Sequence, residues 1–305
     1  MPVPKKPRRN TSSKAAAKPA GGTDRRTMEA ILAALGGGAA FGGPAIHDPI
    51  AKAQELMYDA WEKTTSRGRI AGARRALEVS PLCADAYVLL AQEAARSPEE
   101  ARDFYAQGVA AGARALGKKG FKEYAGHFWG FLETRPYMRA RAGLATTLRE
   151  LGDIDGAIGH YREMLVLNPG DNQGIRYALL ACLLHQDAAS AVNDLLADYP
   201  DEWSAFWLYT RALVAFRSGE KSEDEMAALV RDAMEANEHV PAILAGTKPA
   251  IISSSGYLTV GGPDEATDYI SECGSTWRGT PGAVEWLAKT AASRLPKRKA
   301  QRAAH

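Results

Sequence analysis

The stretch MRARAGLATTLRELGDIDGAIGHYREMLVLNPGD, residues 138–171, decides how the rest of the chain is read. It divides into two apolar-periodic segments around Gly152-Asp153 and stops at Asn168-Pro169. Leu144 and Ala145 mark the tightly packed face of the first helix, and Ala157 and Tyr161 lie four apart on the second. The alanines let two helix backbones approach closely, while Tyr161 fills the space toward a following unit. Gly152 can take the left-handed turn conformation, and Pro169 cannot continue a helix. A helical hairpin of this size buries too little apolar surface to stand alone, so neighbouring copies are expected.

This residue order is the tetratricopeptide pattern, whose period is about 34 residues. It predicts an all-α, right-handed tetratricopeptide-like helical-repeat solenoid of about four to five helix pairs with a helical C-terminal cap. Working outward, helical order starts near Asp48-Pro49, an N-cap followed by Pro at the first helical position. One helix is expected to about Thr65 and a second from about Ile70 to Val79, closed by Ser80-Pro81. Tyr87, Leu90 and Ala91 repeat the first-helix signature, and Ser97-Pro98 with Ala101 and Tyr105 open its partner. The next signature comes late, because 54 residues separate Ala91 from Ala145. The excess is an aromatic insert, GKKGFKEYAGHFWGFLETRP, at 117–136. Beyond the opening stretch come a repeat around Leu179 that ends at Pro200, then one with Trp203 and Trp207 facing the stack. Ser222 and Glu225 form a capping box for the last repeat's second helix. The expected organisation is a disordered basic tail and linker at 1–45 and repeats at 46–247. A loop with a helical cap follows at 248–290, then a basic tail at 291–305. Within the first of these, 27–35 could form two helical turns before the Gly-rich linker.

The net charge of +2 conceals segregation. Residues 1–27 hold eight Lys/Arg and one acid, and 288–305 hold six Lys/Arg and no acid. The body, 28–287, has 24 basic and 35 acidic residues, a net of −11. Such tails are either solvated ends or a means of recruiting a regulator to nucleic acid or anionic membrane. An acidic body repels nucleic acid, which favours solvated ends and no specific nucleic-acid partner. Cys83, Cys182 and Cys273 are odd in number and widely spaced, which suggests neither a disulfide framework nor a zinc site; Cys83 and Cys182 fall in apolar helical settings as core residues, and a reducing compartment fits. No segment reaches the roughly 20 apolar residues of a membrane span, and Glu29 interrupts the export signal that Arg25-Arg26 imitates. A cytoplasmic location is expected.

The end of the repeats and the tail carry a more specific likeness. Asn237, His239-Val240-Pro241, Leu244, the string DEATDY at 264–269, Trp277-Arg278, Gly282-Ala283-Val284 and Leu287 follow one another in order. Together they resemble the C-terminal region of the suppressor-of-tumorigenicity-seven family. The string CADAYVLLAQE at 83–93 is similar to another signature of that family. The likeness spans roughly 75–290, most of the chain expected to be ordered. Glu238 departs from it, standing where the family usually has Pro, and the membrane-spanning N-terminal part of the animal members has no counterpart here. The resemblance implies a tetratricopeptide-like fold and a non-catalytic role, and it supplies no catalytic residue.

Nothing in the residues themselves points to catalysis. The six histidines form no H-E-x-x-H motif and join no cysteine cluster, so no metal and no cofactor is expected. Ser253-Ser254-Ser255-Gly256 lacks the flanking glycine of a nucleophile elbow. The expected function is a scaffold that binds a protein or peptide through the concave face of its first helices, with an uncharacterised enzyme a remoter alternative. In the register of Ala145, groove positions are Arg139, Thr146 and Arg149, then Gln173 and Arg176, then Arg211, with Arg96 one repeat earlier. Arginines there could fork onto carboxylates of an acidic or C-terminal peptide, or pair with local acids such as Glu150. The insert's Phe121, Tyr124, Phe128, Trp129 and Phe131 either fill a widened gap between repeats or form a partner-binding patch.

Overall fold

In a computed structural model, residues 48–253 and 258–294 are described. The basic tails, the helical turns expected at 27–35, the Gly-rich linker and Ser254–Gly256 lie outside them, apart from the start of the C-terminal tail.

Thirteen helices and no strand occur among the described residues. The first three are α1 (Pro49–Glu62), α2 (Ser66–Val79) and α3 (Ala84–Glu93). Asp48 accepts from the Ile50 N–H at 2.9 Å to start α1. Thr65 caps α2, so this helix begins four residues before the expected Ile70. Next come α4 (Pro98–Glu123), α5 (Arg135–Glu150) and α6 (Ile154–Leu167). Asp153 caps α6 through the Gly156 N–H at 2.9 Å, and Gly152 takes φ 86° in the turn before it. The later helices are α7 (Ile175–His185), α8 (Ala189–Asp198), α9 (Ala205–Ser218) and α10 (Glu223–Ala236), the last opened by the Ser222–Glu225 capping box. A short α11 (Val240–Leu244), α12 (Pro263–Gly279) and α13 (Ala283–Arg294) complete the order. The C-terminal helix therefore extends into the segment expected to be a tail.

The helices pack largely in chain order, each against the next. Alternate helices α1, α3 and α5 also touch, so the first helices of successive pairs form a row. Leu144, Ala145, Ala157 and Tyr161 are all buried. Close approach continues elsewhere: a Cβ on Gly143 would meet the Tyr105 ring at 2.1 Å. One core cluster joins α1 to α3, and a larger one runs from Phe128 to Ala291.

Two expectations change here. Trp207 is fully buried, whereas Trp203 precedes the N-cap Ser204 and stays 56% exposed. The insert divides between a helix and a loop, because α4 continues to Glu123 across a break at Gly117, where φ is 57°. Its rings are packed. Phe128 is buried against Phe121 and Tyr137, Tyr124 stacks on Phe131 at 4.6 Å, and the Arg135 guanidinium covers Trp129 at 5.2 Å. Of the five insert rings, Phe128 is buried and Phe121, Tyr124, Trp129 and Phe131 are half-buried, packed on one another and on the core. The Thr134 hydroxyl closes this loop by donating to the Phe128 and Phe131 carbonyls.

Candidate binding face

The row of first helices is held together by a polar network at its N-terminal end. Asp85 sits in the first turn of α3, where unpaired backbone N–H groups favour a carboxylate. It is fully buried, and Arg139 of α5 forks onto its two oxygens at 2.8 and 2.5 Å. Gln54 of α1 donates to the same carboxylate at 2.9 Å. Three successive first helices are thereby tied through one side chain. A buried charge needs this full set of partners to offset its desolvation.

Farther along, the row is covered by the chain itself. Helix α12 packs on α7 and α9, and its apolar stripe of Ala266, Tyr269, Cys273 and Trp277 is fully buried. Tyr269 meets Phe206 at 5.3 Å and Tyr209 at 5.9 Å, and the Trp277 indole N–H donates to the Tyr269 hydroxyl at 2.7 Å. At the start of α12, the buried Glu265 accepts from the Ala205 N–H, the Asn237 side chain and the Gly261 N–H. Midway, Arg149 of α5 reaches Glu272 of α12 at 2.7 Å across 123 residues of sequence. Burial alone would weaken the Arg149 charge, and the Glu272 carboxylate more than offsets it. Burial, Glu272 and Glu265 together raise the Asp268 carboxyl above its ordinary range.

Three of the five arginines expected in the groove, Arg139, Arg149 and Arg176, pair with carboxylates, and those carboxylates belong to this chain. Arg139 takes Asp85, and Arg149 takes Glu272 rather than its neighbour Glu150. Arg176 pairs with Asp171 at 2.9 Å and Glu202 at 2.5 Å, with Tyr177, Tyr199 and Trp207 around its guanidinium. Burial acts against the Glu202 charge, yet Arg176 with hydrogen bonds from Ser204 and Tyr177 holds its carboxyl below the ordinary range. Arg211 is two residues past Tyr209, roughly 200° around the helix, and so turns away from α12. It reaches back toward the Leu196 and Pro200 carbonyls at the end of α8. Gln173 is half-buried before α7, and its side-chain oxygen accepts no hydrogen bond among the described residues. Thr146 and Arg96 are exposed; the Thr146 hydroxyl lies 3.3 Å from that of Tyr161. Of the seven, Arg139, Thr146 and Arg149 share one helix, α5, and the others do not converge on one spot.

Sequence reading missed Asp85, Glu265 and Glu272 as the centres of these contacts. The signal for α12 was present: apolar residues at 266, 269, 273 and 277 form a stripe at helical spacing, flanked by Glu265, Asp268 and Glu272. The three cysteines are buried thiols; burial first, then Asp85, pushes Cys83 up to about 12. No cluster of metal-ligating side chains exists among the described residues, and none of their helices is long and apolar enough to cross a membrane.

The arrangement defines an all-helical protein that holds one of its own helices against a row of others. A family model described as "ST7 protein" matches residues 45–300, and the chain belongs to that family. It is 29% identical over 263 residues to "Protein ST7 homolog" of Drosophila pseudoobscura pseudoobscura, covering 76% of this chain and 47% of that protein. "Suppressor of tumorigenicity 7 protein-like" of Danio rerio is 28% identical over 256 residues, covering 76% and 43%. "Suppressor of tumorigenicity 7 protein" of Macaca fascicularis is 27% identical over 286 residues, covering 79% and 53%. The chain spans about half the length of these curated relatives.

Proposed function

We infer that this chain is a non-catalytic, tetratricopeptide-like scaffold that binds a partner polypeptide on the row formed by its first helices. The observation that carries this reading is α12 itself. The face formed by α7 and α9 already accepts a helix through a buried aromatic stripe and charged flanks, which is how helix-in-groove recognition works. Because α12 covers that half, the partner occupies the other half, across α1, α3 and α5. The exposed Gln92 and Thr146 stand at matching places there, each one residue past the packed Ala91 or Ala145. Arg139, Arg149 and Arg176 are already paired within the chain, so the partner need not be acidic.

A photo-crosslinking amino acid at Gln92 or Thr146 is expected to capture one partner chain in cells, identified by mass spectrometry. The same group at the exposed Glu78 of α2 serves as the control position. Equal capture from Glu78, or no adduct from Gln92 and Thr146, would reject the assignment of this face.

A further inference from the structure

Six large apolar side chains are exposed among the described residues, and five of them gather around the first two turns of α12. Ile251 and Ile252 stand within 248–253, Leu258 and Val260 within 258–262, and Trp203 just before α9. Hydrogen bonds to α12 root all three stretches in one place. The Ile251 N–H donates to Thr267 at 2.9 Å, and the Thr259 N–H to Asp264 at 2.9 Å. Glu265 joins the other two ends. One of its oxygens accepts from the Gly261 N–H at 2.7 Å, beside Val260, and the other from the Ala205 N–H at 3.3 Å, two residues past Trp203. The side chains above this fastened backbone are uncovered: Ile252 and Val260 are 87% and 86% exposed. An indole among aliphatic side chains on a fixed backbone has the make-up of an interface anchor.

Charge and area decide what covers it. Residues 239–262 contain no Asp or Glu, whereas the body at 28–287 carries a net of −11. The carboxylates at the root, Asp264 and Glu265, are buried and taken up by N–H groups of this chain. The exposed Asp201, Glu238 and Lys248, which flank these stretches in sequence, supply a rim of mixed sign. A basic partner would find its carboxylates on other faces, and an acidic one would find no cation here beyond Lys248. The patch suits an occupant that is itself apolar and uncharged, and a second copy of the chain brings one. Charges act over about 8 Å at physiological ionic strength, so two acidic bodies can meet where surface carboxylates are locally absent. A twofold contact sets a patch on its own image, which demands self-complementarity. Uncharged side chains meet that demand, whereas a patch of one charge sign would not. Five side chains of this size present on the order of 500 Å², which with a polar rim approaches the roughly 800 Å² that each partner buries in a stable interface.

We propose that the start of α12 is a homodimer interface, in which a second copy of this chain sets its own Trp203, Ile251, Ile252, Leu258 and Val260 on the same five side chains. The patch includes no residue of α1, α3 or α5, so the dimer stands apart from the partner face assigned above. Sedimentation of the full chain is expected to show a concentration-dependent doubling of the 32.7 kDa mass. Added salt should leave the dimer intact or tighten it, because screening weakens repulsion between the bodies. I252D/V260D should associate at least about tenfold more weakly, since it places carboxylates in an apolar contact. Both positions are exposed, so unchanged helical circular dichroism shows that the variant folds. A short bismaleimide should join two L258C chains, because the three native cysteines are buried, and should not join two E78C chains through the exposed position on α2. A monomer at every concentration up to about 100 μM overturns the proposal. So does a dimer that I252D/V260D leaves unchanged, or equal cross-linking of E78C. A dimer that dissociates as salt is added would rest on attraction between basic tails and acidic body, and a monomer that floats with phosphatidylcholine vesicles would give the patch to lipid; either result also overturns it.

Discussion

At the scale of single residues, the chain is organised around carboxylates with defined partners. Asp85 is the clearest case, because it is wholly buried and Arg139 and Gln54 both depend on it. Removing its charge takes from the Arg139 guanidinium, itself only 13% exposed, the carboxylate it forks onto. D85N is therefore expected to cost about 3 kcal/mol in urea unfolding; a loss below about 1 kcal/mol would mean the network contributes little. Asp268 has the opposite character. Burial and the nearby Glu272 and Glu265 raise its carboxyl, so folding disfavours its charged form. The penalty is present above the raised value and is relieved as pH falls through it toward the ordinary aspartate range. D268N should thus stabilise the protein by roughly 0.5 kcal/mol at neutral pH, and that gain should vanish in acid. Thermal melts across pH measure it, and a gain that persists in acid would show another cause.

At the scale of elements, the contact between α5 and α12 gives the most discriminating substitution. Arg149 and Glu272 meet at 2.7 Å in a half-buried setting. R149E and E272R should each destabilise the protein, and R149E/E272R should recover part of the loss. A coupling of about 1 kcal/mol is expected from such a pair in unfolding measurements; strict additivity would place the two side chains apart. This contact also separates what could be read in advance from what could not. The helices of 138–171 were legible because Ala145, Gly152, Ala157, Tyr161 and Pro169 each answer a local steric demand, and all but Gly152 and Pro169 are buried. The capping box at Ser222–Glu225 was legible for the same reason. Periodicity indicated a helix at α12, but its docking on α7 and α9 was hidden, since no local rule states where an amphipathic helix will settle. Arg96 falls in the loop after α3 and Arg211 turns away from α12, whereas Arg139, Arg149 and Arg176 lie on first helices. Their partners could not be read, because Asp85 lies 54 positions from Arg139 and Glu272 lies 123 from Arg149.

At the scale of the whole molecule, the chain is a row of helices that its own C-terminal region partly covers. The buried stripe of Ala266, Tyr269, Cys273 and Trp277 makes α12 part of the core cluster that includes α7 and α9, rather than an arm resting on it. That distinction governs function. In the proposed reading, a detachable α12 would open the whole row to a partner, while an integral one would leave it α1, α3 and α5. Native-state hydrogen exchange tests this most directly, because it reads the opening of each helix separately. Amides of α12 are expected to open together with those of α7 and α9, within about 0.5 kcal/mol at every denaturant concentration, and W277A should lower all three alike. Early exchange of α12 while α7 and α9 remain protected would contradict the account.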